Sequence, residues 1–85
     1  MVSIEDKLHK YIAMNLLFSN NGFPYPDDTS FLERGIVDSM NIMEIVFFSE
    51  EAFGISIRDQ EIVPANFDSI SNLAGFIRRK LAEGS

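Results

Sequence analysis

The stretch that decides the fold runs from Asp38 to Gly54 and reads DSMNIMEIVFFSEEAFG. Its apolar residues recur at helical spacing and predict a helix over about 39–53. Asp38 or Ser39 can cap the start of this helix, because either side chain can accept a hydrogen bond from a free backbone N–H group. Gly54 is suited to end the helix, because glycine readily adopts the left-handed conformation. The stretch therefore predicts one helix with a signal at each end.

On a helical wheel this helix has two apolar faces. The first face is the core stripe, formed by Ile42, Ile45, Val46, Ser49, Ala52 and Phe53. The second face, which we call the docking ridge, is formed by Met40, Met43 and Phe47, and its flanking acids are Glu44, Glu50 and Glu51. A small helical protein cannot easily bury both faces, so the docking ridge predicts a surface that binds a partner. The alternative is that residues 19–38 fold back over it.

The N-terminal third predicts a helix and a long loop. Ser3 can cap a first amphipathic helix that runs to about Phe18, with Asp6 completing a capping box. Residues 19–38 are rich in turn-forming residues and break the helical periodicity. Six apolar residues predict that this loop is pinned to the core: Phe23, Tyr25, Phe31, Leu32, Ile36 and Val37.

The C-terminal third predicts a short helix and a long one. A helical turn is expected near 59–63, and Asp68 can cap a last helix that runs to about Leu81. The fold class is therefore all-α, a bundle of three main helices plus a short additional helix. We expect residues 1–85 to form one domain, because 85 residues are too few for two independent cores.

Composition excludes several classes of function. Thirteen Asp and Glu against seven Lys and Arg give a net charge of −6, which argues against nucleic acid and anionic membrane surfaces as partners. Residues 27–61 alone carry −7, which indicates a basic partner, although acids also simply keep small domains soluble. The chain has no cysteine, no apolar run long enough to span a membrane and no signal-peptide pattern. We expect a monomer in the reducing cytoplasm, without membrane insertion.

Catalysis by the chain's own side chains is not predicted. His9 is the single histidine and lies between Lys7 and Lys10, where we expect a surface residue. The sequence has no Gly-rich phosphate loop, no cluster of metal ligands and no Ser-His-Asp set. We therefore expect no enzymatic activity, no catalytic residue and no metal site.

Three segments resemble acyl carrier proteins. Residues 32–46, LERGIVDSMNIMEIV, resemble the family's modification site. Residues 50–57, EEAFGISI, are similar to its acidic helix end and the Phe-Gly-Ile-x-Ile run that follows. Residues 63–70, VPANFDSI, resemble the segment that enters the last helix of specialised carriers. The likeness covers most of residues 31–81.

The resemblance implies a carrier whose Ser39 receives 4'-phosphopantetheine from coenzyme A through a phosphodiester. Asp38 would help a phosphopantetheinyl transferase and its magnesium ion to engage the site. The resemblance places the partner-binding surface on Met40, Met43, Glu44, Phe47, Glu50 and Glu51. Its partners would be the transferase, an acyl- or aminoacyl-activating ligase, and synthase or transferase enzymes with basic docking patches. They would belong to fatty-acid, polyketide, nonribosomal-peptide or cell-envelope pathways.

Three residues depart from the family's pattern and bear on the cargo. Asn41 stands where an acid is common, Ser49 where a leucine usually lines the acyl chamber, and Phe48 where a small residue is common. A hydroxyl and a bulky ring there make a long sequestered chain less favourable. We therefore expect a cargo that is short, polar or amino-acid-like, or one that is not sequestered. Two alternatives stay open: a D-alanyl or other aminoacyl carrier, and an unmodified acidic adaptor that binds a basic amphipathic target.

Overall fold

The computed structural model describes residues 3–19, 22–38 and 40–84 of the chain. Its α-helices are α1 (Ile4–Asn15), α2 (Phe31–Arg34), α3 (Ile42–Phe53), α4 (Pro64–Phe67) and α5 (Ile70–Ala82), with a 3₁₀ turn at Asp59–Glu61. These described ranges contain no strand, and the predicted all-α bundle is confirmed. Within them, every helix falls short of the length and apolar character needed to cross a membrane.

The first helix begins as predicted and ends early. The Ser3 hydroxyl accepts a hydrogen bond from the Asp6 amide at 3.0 Å, and the Asp6 carboxylate accepts one from the Ser3 amide at 3.5 Å. This reciprocal pair is the predicted capping box. The helix ends at Asn15 rather than Phe18, because Phe18 adopts a left-handed φ of 52° that interrupts the helical backbone.

The core lies between α1, α3 and α5. Its buried residues are Leu8, Ile12, Phe31, Ile36, Val37, Ile45, Val46, Ile55, Phe67, Ile70, Leu73, Ala74, Phe76 and Ile77. The long loop contributes to this core as predicted, since Phe23 and Tyr25 also pack against it. Leu32 is not part of this core, since 57% of it is exposed.

A charged residue rather than an apolar one is buried at the end of the last helix. Lys80 is buried, whereas Leu81 is 44% exposed. The Lys80 ammonium donates to the Glu61 carboxylate, with Nζ 3.1 Å from Oε1. Burial of this charge is tolerated because it is paired and hydrogen-bonded. A pattern of apolar spacing could not reveal this pair, because its acid lies 19 residues upstream in the 3₁₀ turn.

His9 also lies in a different environment from the predicted surface position. It is half-buried, stacks on Phe23 with ring centroids 5.3 Å apart, and places Nε2 2.6 Å from Oδ1 of Asp27. The histidine therefore fastens the long loop to α1. Its role in the described structure is to hold this loop in place.

A bidentate ion pair joins α1 to α5. The Arg78 guanidinium donates to both carboxylate oxygens of Glu5, at 2.7 and 2.6 Å. These hydrogen bonds lower the pKa of Glu5 below its ordinary value of 4.5. A lowered folded pKa means that the pair stabilises the protein above pH 4.5, and that this contribution is lost as the pH falls through the folded pKa.

Glu5→Gln is therefore expected to make the stability of the protein depend less on pH in the acid range. Urea midpoints measured between pH 7 and pH 3 should fall less in the variant than in the parent protein. The loss at neutral pH should be small, because solvent screens this partly exposed pair. Asp28→Asn is a suitable control, since Asp28 is an exposed acid. Parallel profiles for the parent and Glu5→Gln proteins would contradict the assignment.

Candidate functional site

The junction before α3 is organised by Asp38. Its carboxylate Oδ1 accepts hydrogen bonds from the amides of Met40 and Asn41, both at 2.9 Å, and its carbonyl accepts one from Ile42 at 3.1 Å. Asp38 therefore caps the turn before α3 rather than the helix itself, whose N-cap is Asn41, without a side-chain hydrogen bond. Because residues 40–41 form a turn, α3 begins at Ile42 rather than at residue 39.

Ser39 lies outside the described residues, so its predicted role stays a prediction. Both of its chain neighbours, Asp38 and Met40, are exposed. The structure also fixes the position of the carboxylate that precedes it, through the two amide bonds to Asp38. The site thus has an ordered acid immediately before the predicted modified residue.

The docking ridge is exposed as predicted. Met40 is 82% exposed, Phe47 60% and Met43 38%. The described part of residues 19–38 does not cover it, which removes the alternative of a loop folded over the ridge. Three large exposed apolar side chains in the turn before α3 and on α3, with acids beside them, are typical of a surface that binds another protein. Binding itself stays a prediction.

The three acids beside the docking ridge are not equivalent. Glu44 and Glu51 are exposed. Glu50 is half-buried, and its Oε2 accepts a hydrogen bond from the Ile57 amide at 2.9 Å. Gly54, with a left-handed φ of 68°, turns the chain back so that Ile57 reaches this carboxylate. Glu50 therefore also holds the segment after α3, a role that sequence reasoning did not anticipate.

Aromatic rings fill the contact between α1 and α3. Phe48 stacks on Tyr11 with centroids 4.1 Å apart and meets the edge of Phe53 at 6.2 Å. The Tyr11 hydroxyl donates to the Glu44 carbonyl at 3.3 Å, and burial, with the nearby Glu44 charge, raises the pKa of Tyr11. Phe48 therefore packs against α1.

Ser49 occupies the core stripe, as predicted from the helical wheel. It is 0% exposed, and its hydroxyl has no hydrogen-bond partner among the described residues. A buried hydroxyl in this condition is energetically unfavourable, whereas a leucine at the same place would not be. The interior of the bundle is therefore less suited to an alkyl chain than an all-aliphatic interior.

An apolar cleft of about 280 Å³ opens beside Asp38. Its lining residues are Phe31, Leu32, Val37, Asp38, Ile42, Ile62, Val63, Pro64, Phe67 and Asp68. The short helices α2 and α4 form much of its wall. The sequence did not predict the cleft, because α2 lies within residues 19–38, which are predicted to form a loop. Pro64 could have indicated α4, because proline is common at the first position of a helix.

Among the described residues, no group of three His, Cys, Asp or Glu side chains could together hold a metal ion. Asp38 holds the turn before α3, and the docking ridge is an exposed apolar surface with acids beside it.

Comparison with known proteins adds one match. No protein-family model matches the chain. The chain is 33% identical over 76 residues to a protein described as "Probable acyl carrier protein PigG" from Serratia sp. (strain ATCC 39006). The aligned region covers 89% of this chain and 86% of that protein. The similarity therefore extends over nearly the whole length of both.

Proposed function

Because the chain belongs to the acyl carrier protein family, we propose that it carries acyl or aminoacyl groups as thioesters on a 4'-phosphopantetheine arm attached to Ser39. The observation that best supports this site is the geometry around it. Asp38 is held in place by two amide hydrogen bonds, and Asp38 and Met40 are both exposed. Residues 1–85 act as one non-catalytic carrier domain, as a monomer in the cytoplasm.

Attachment of the arm forms one bond and breaks another. The Ser39 hydroxyl oxygen attacks the pantetheine-side phosphorus of coenzyme A, and a phosphodiester forms. The diphosphate bond breaks, 3',5'-ADP leaves, and the serine proton passes to a base of the transferase. When attached, the arm supplies a thiol that the cysteine-free chain lacks. The chain's own residues position this arm and bind the partner enzymes.

The docking ridge and its exposed acids give the proposed partners a common binding surface. Met40 and Phe47 offer apolar contacts, and Glu44 and Glu51 offer negative charge. The matching partner surface is an apolar depression with basic residues at its rim. We expect it on a phosphopantetheinyl transferase, on an activating ligase and on synthase or transferase enzymes. Proteins that meet through such charged contacts associate fast, and salt weakens their complex. Both properties suit a carrier that its partner must release.

Intact-mass measurement tests the proposal directly. The protein is incubated with coenzyme A, magnesium and a broad-specificity phosphopantetheinyl transferase. One addition of about 340 Da is expected, the mass of a single covalently attached carrier group. An unmodified acidic adaptor would gain no mass, so an unchanged mass beside a modified control carrier would overturn the proposal.

We further propose that the cargo is short, polar or amino-acid-like, or is not drawn into the core. The unpartnered hydroxyl of Ser49 and the ring of Phe48 make the bundle interior unfavourable for an alkyl chain. The cleft beside Asp38 is instead open to a small group. Its volume of about 280 Å³ is at the lower end of the sizes that hold small ligands.

This cargo proposal predicts where NMR shifts occur when the arm is loaded. With an acetyl, alanyl or octanoyl group, amide shifts relative to the unloaded arm-bearing protein should be confined to the cleft, at exposed lining residues such as Leu32 and Val63. Core residues such as Ile45 and Leu73 should stay within the experimental scatter. Large core shifts with the octanoyl group alone would contradict the proposal, because they would show a chain entering the bundle.

A further inference from the structure

Asp68, which lies between α4 and α5, holds the segment that leads to the proposed attachment site. Asp68 Oδ2 accepts a hydrogen bond from the Ser30 hydroxyl at 2.6 Å, and Oδ1 accepts one from the Leu32 amide at 3.0 Å. The Asp68 carbonyl accepts a third from the Phe31 amide at 2.7 Å. Three bonds from one residue thus fix the first turn of α2.

Asp68 was expected to cap the last helix, and that prediction is wrong. It ends α4 with helical backbone angles, and Ser69 caps α5 instead, accepting from the Asn72 amide at 3.0 Å. The Asp68 carboxylate is thereby directed to α2 rather than to α5. Among the described residues, it is the only side chain that hydrogen-bonds any part of residues 30–38 to a distant part of the chain.

A short and well-packed path connects this anchor to Asp38. The Ile36 amide donates to the Phe31 carbonyl at 2.9 Å, which closes the turn after α2, and Gly35 supplies the required left-handed φ of 68°. Ile36 and Val37 are then buried in the core. Asp38 follows directly, and both Asp38 and Asp68 line the same cleft. We therefore expect a shift of α2 to displace Asp38, which caps the turn before α3.

We propose that Asp68 is a positioning residue for modification of Ser39, acting through α2 and Asp38. This inference rests on the proposed function. The hydrogen bonds of Asp68 go to residues 30–32, whereas Met43 and Phe47 of the docking ridge lie on α3. Loss of these bonds would therefore leave most of the docking ridge in place and reduce the fraction of encounters in which the attachment site is correctly placed.

The test compares kcat and KM of a phosphopantetheinyl transferase for carrier variants. Asp68→Ala should lower kcat about tenfold with KM within about twofold, because hydrogen bonds to a charged group are strong and the binding face is retained. Asp68→Asn retains an oxygen that can accept from the Leu32 amide and an NH₂ that can donate to the Ser30 hydroxyl. It should recover most of the lost kcat, and no recovery would overturn the inference.

Ser69→Ala is the matched control. It removes a helix-capping bond at the adjacent residue and leaves the α2 contacts unchanged. Amide hydrogen exchange at Leu32 should accelerate in Asp68→Ala and not in Ser69→Ala. Equal loss of kcat in the two variants would show a general effect of stability and would overturn the positioning role.

The two proposals fail in different ways. If the parent protein gains no arm, the proposed function itself is wrong. If the parent protein is modified and Asp68→Ala is modified with unchanged kcat, only the role of Asp68 is wrong. Should Asp68→Ala fail to fold, the comparison of Asp68→Asn with the parent and with Ser69→Ala still applies, and faster amide exchange at Leu32 with an unchanged kcat in Asp68→Asn would overturn the inference.

Discussion

Ser39→Ala is expected to abolish attachment of the arm completely. The parent protein should gain about 340 Da after incubation with coenzyme A, magnesium and a transferase, and the variant should gain nothing. The reason is chemical, since alanine has no oxygen to form the phosphodiester. The variant should fold normally, because the cap at this junction is supplied by Asp38. Intact-mass spectrometry measures the outcome, and far-ultraviolet circular dichroism checks the fold.

A second serine provides the matched control. Ser56 is exposed and lies after α3, so Ser56→Ala makes the same chemical change away from the junction. It should gain the full mass of the arm, and fragmentation of the modified parent should place that mass on Ser39. A mass gain on Ser39→Ala would show that another residue is modified, and the assignment of the site would be wrong.

The helices could be predicted from sequence because their signals are local. The capping box of Ser3 and Asp6, the stop at Gly54 and the cap at Asp38 each involve residues within a few positions of one another. The exposure of the docking ridge was also predictable. A helix with two apolar faces in a chain this short leaves one of them uncovered.

The contacts that could not be predicted join distant segments. From the sequence, Asp68 is predicted to cap the helix that follows it. Only the fold shows that its carboxylate accepts hydrogen bonds from Ser30 and Leu32. Glu50 is likewise predicted to be one of three surface acids, yet its carboxylate accepts a hydrogen bond from the Ile57 amide. Their partners lie 7 to 38 residues away, and no periodic pattern carries that information.

Removal of Glu50 would release the segment after α3 as well as remove a charge, so its effect on binding could not be interpreted alone. Glu44 and Glu51 have exposed side chains and give a cleaner test of electrostatics. Phe47 gives the corresponding test of apolar contact, since it is 60% exposed and its truncation leaves the core unchanged.

Phe47→Ala is expected to lower kcat/KM of the transferase about thirtyfold, since a central aromatic side chain in an interface commonly contributes 2 kcal/mol or more. This loss should be similar at low and high salt, because it reflects burial of apolar surface. The matched control is Met14→Ala on α1, which truncates another exposed apolar residue outside the docking ridge. Equal values for the parent and Phe47→Ala proteins would contradict the role of the ridge.

The double variant Glu44→Lys/Glu51→Lys, which reverses two charges beside the docking ridge, should weaken binding of the partner in a salt-dependent way. It should lower kcat/KM at least about tenfold at low ionic strength, and the deficit should shrink as salt screens the repulsion from a basic partner. Asp28→Lys with Glu83→Lys changes the net charge equally at two exposed acids outside α3. If both double variants lose activity equally, net charge alone explains the effect. A larger loss for the α3 pair assigns the interaction to the docking ridge, because only there do the charges border the apolar side chains that the partner covers.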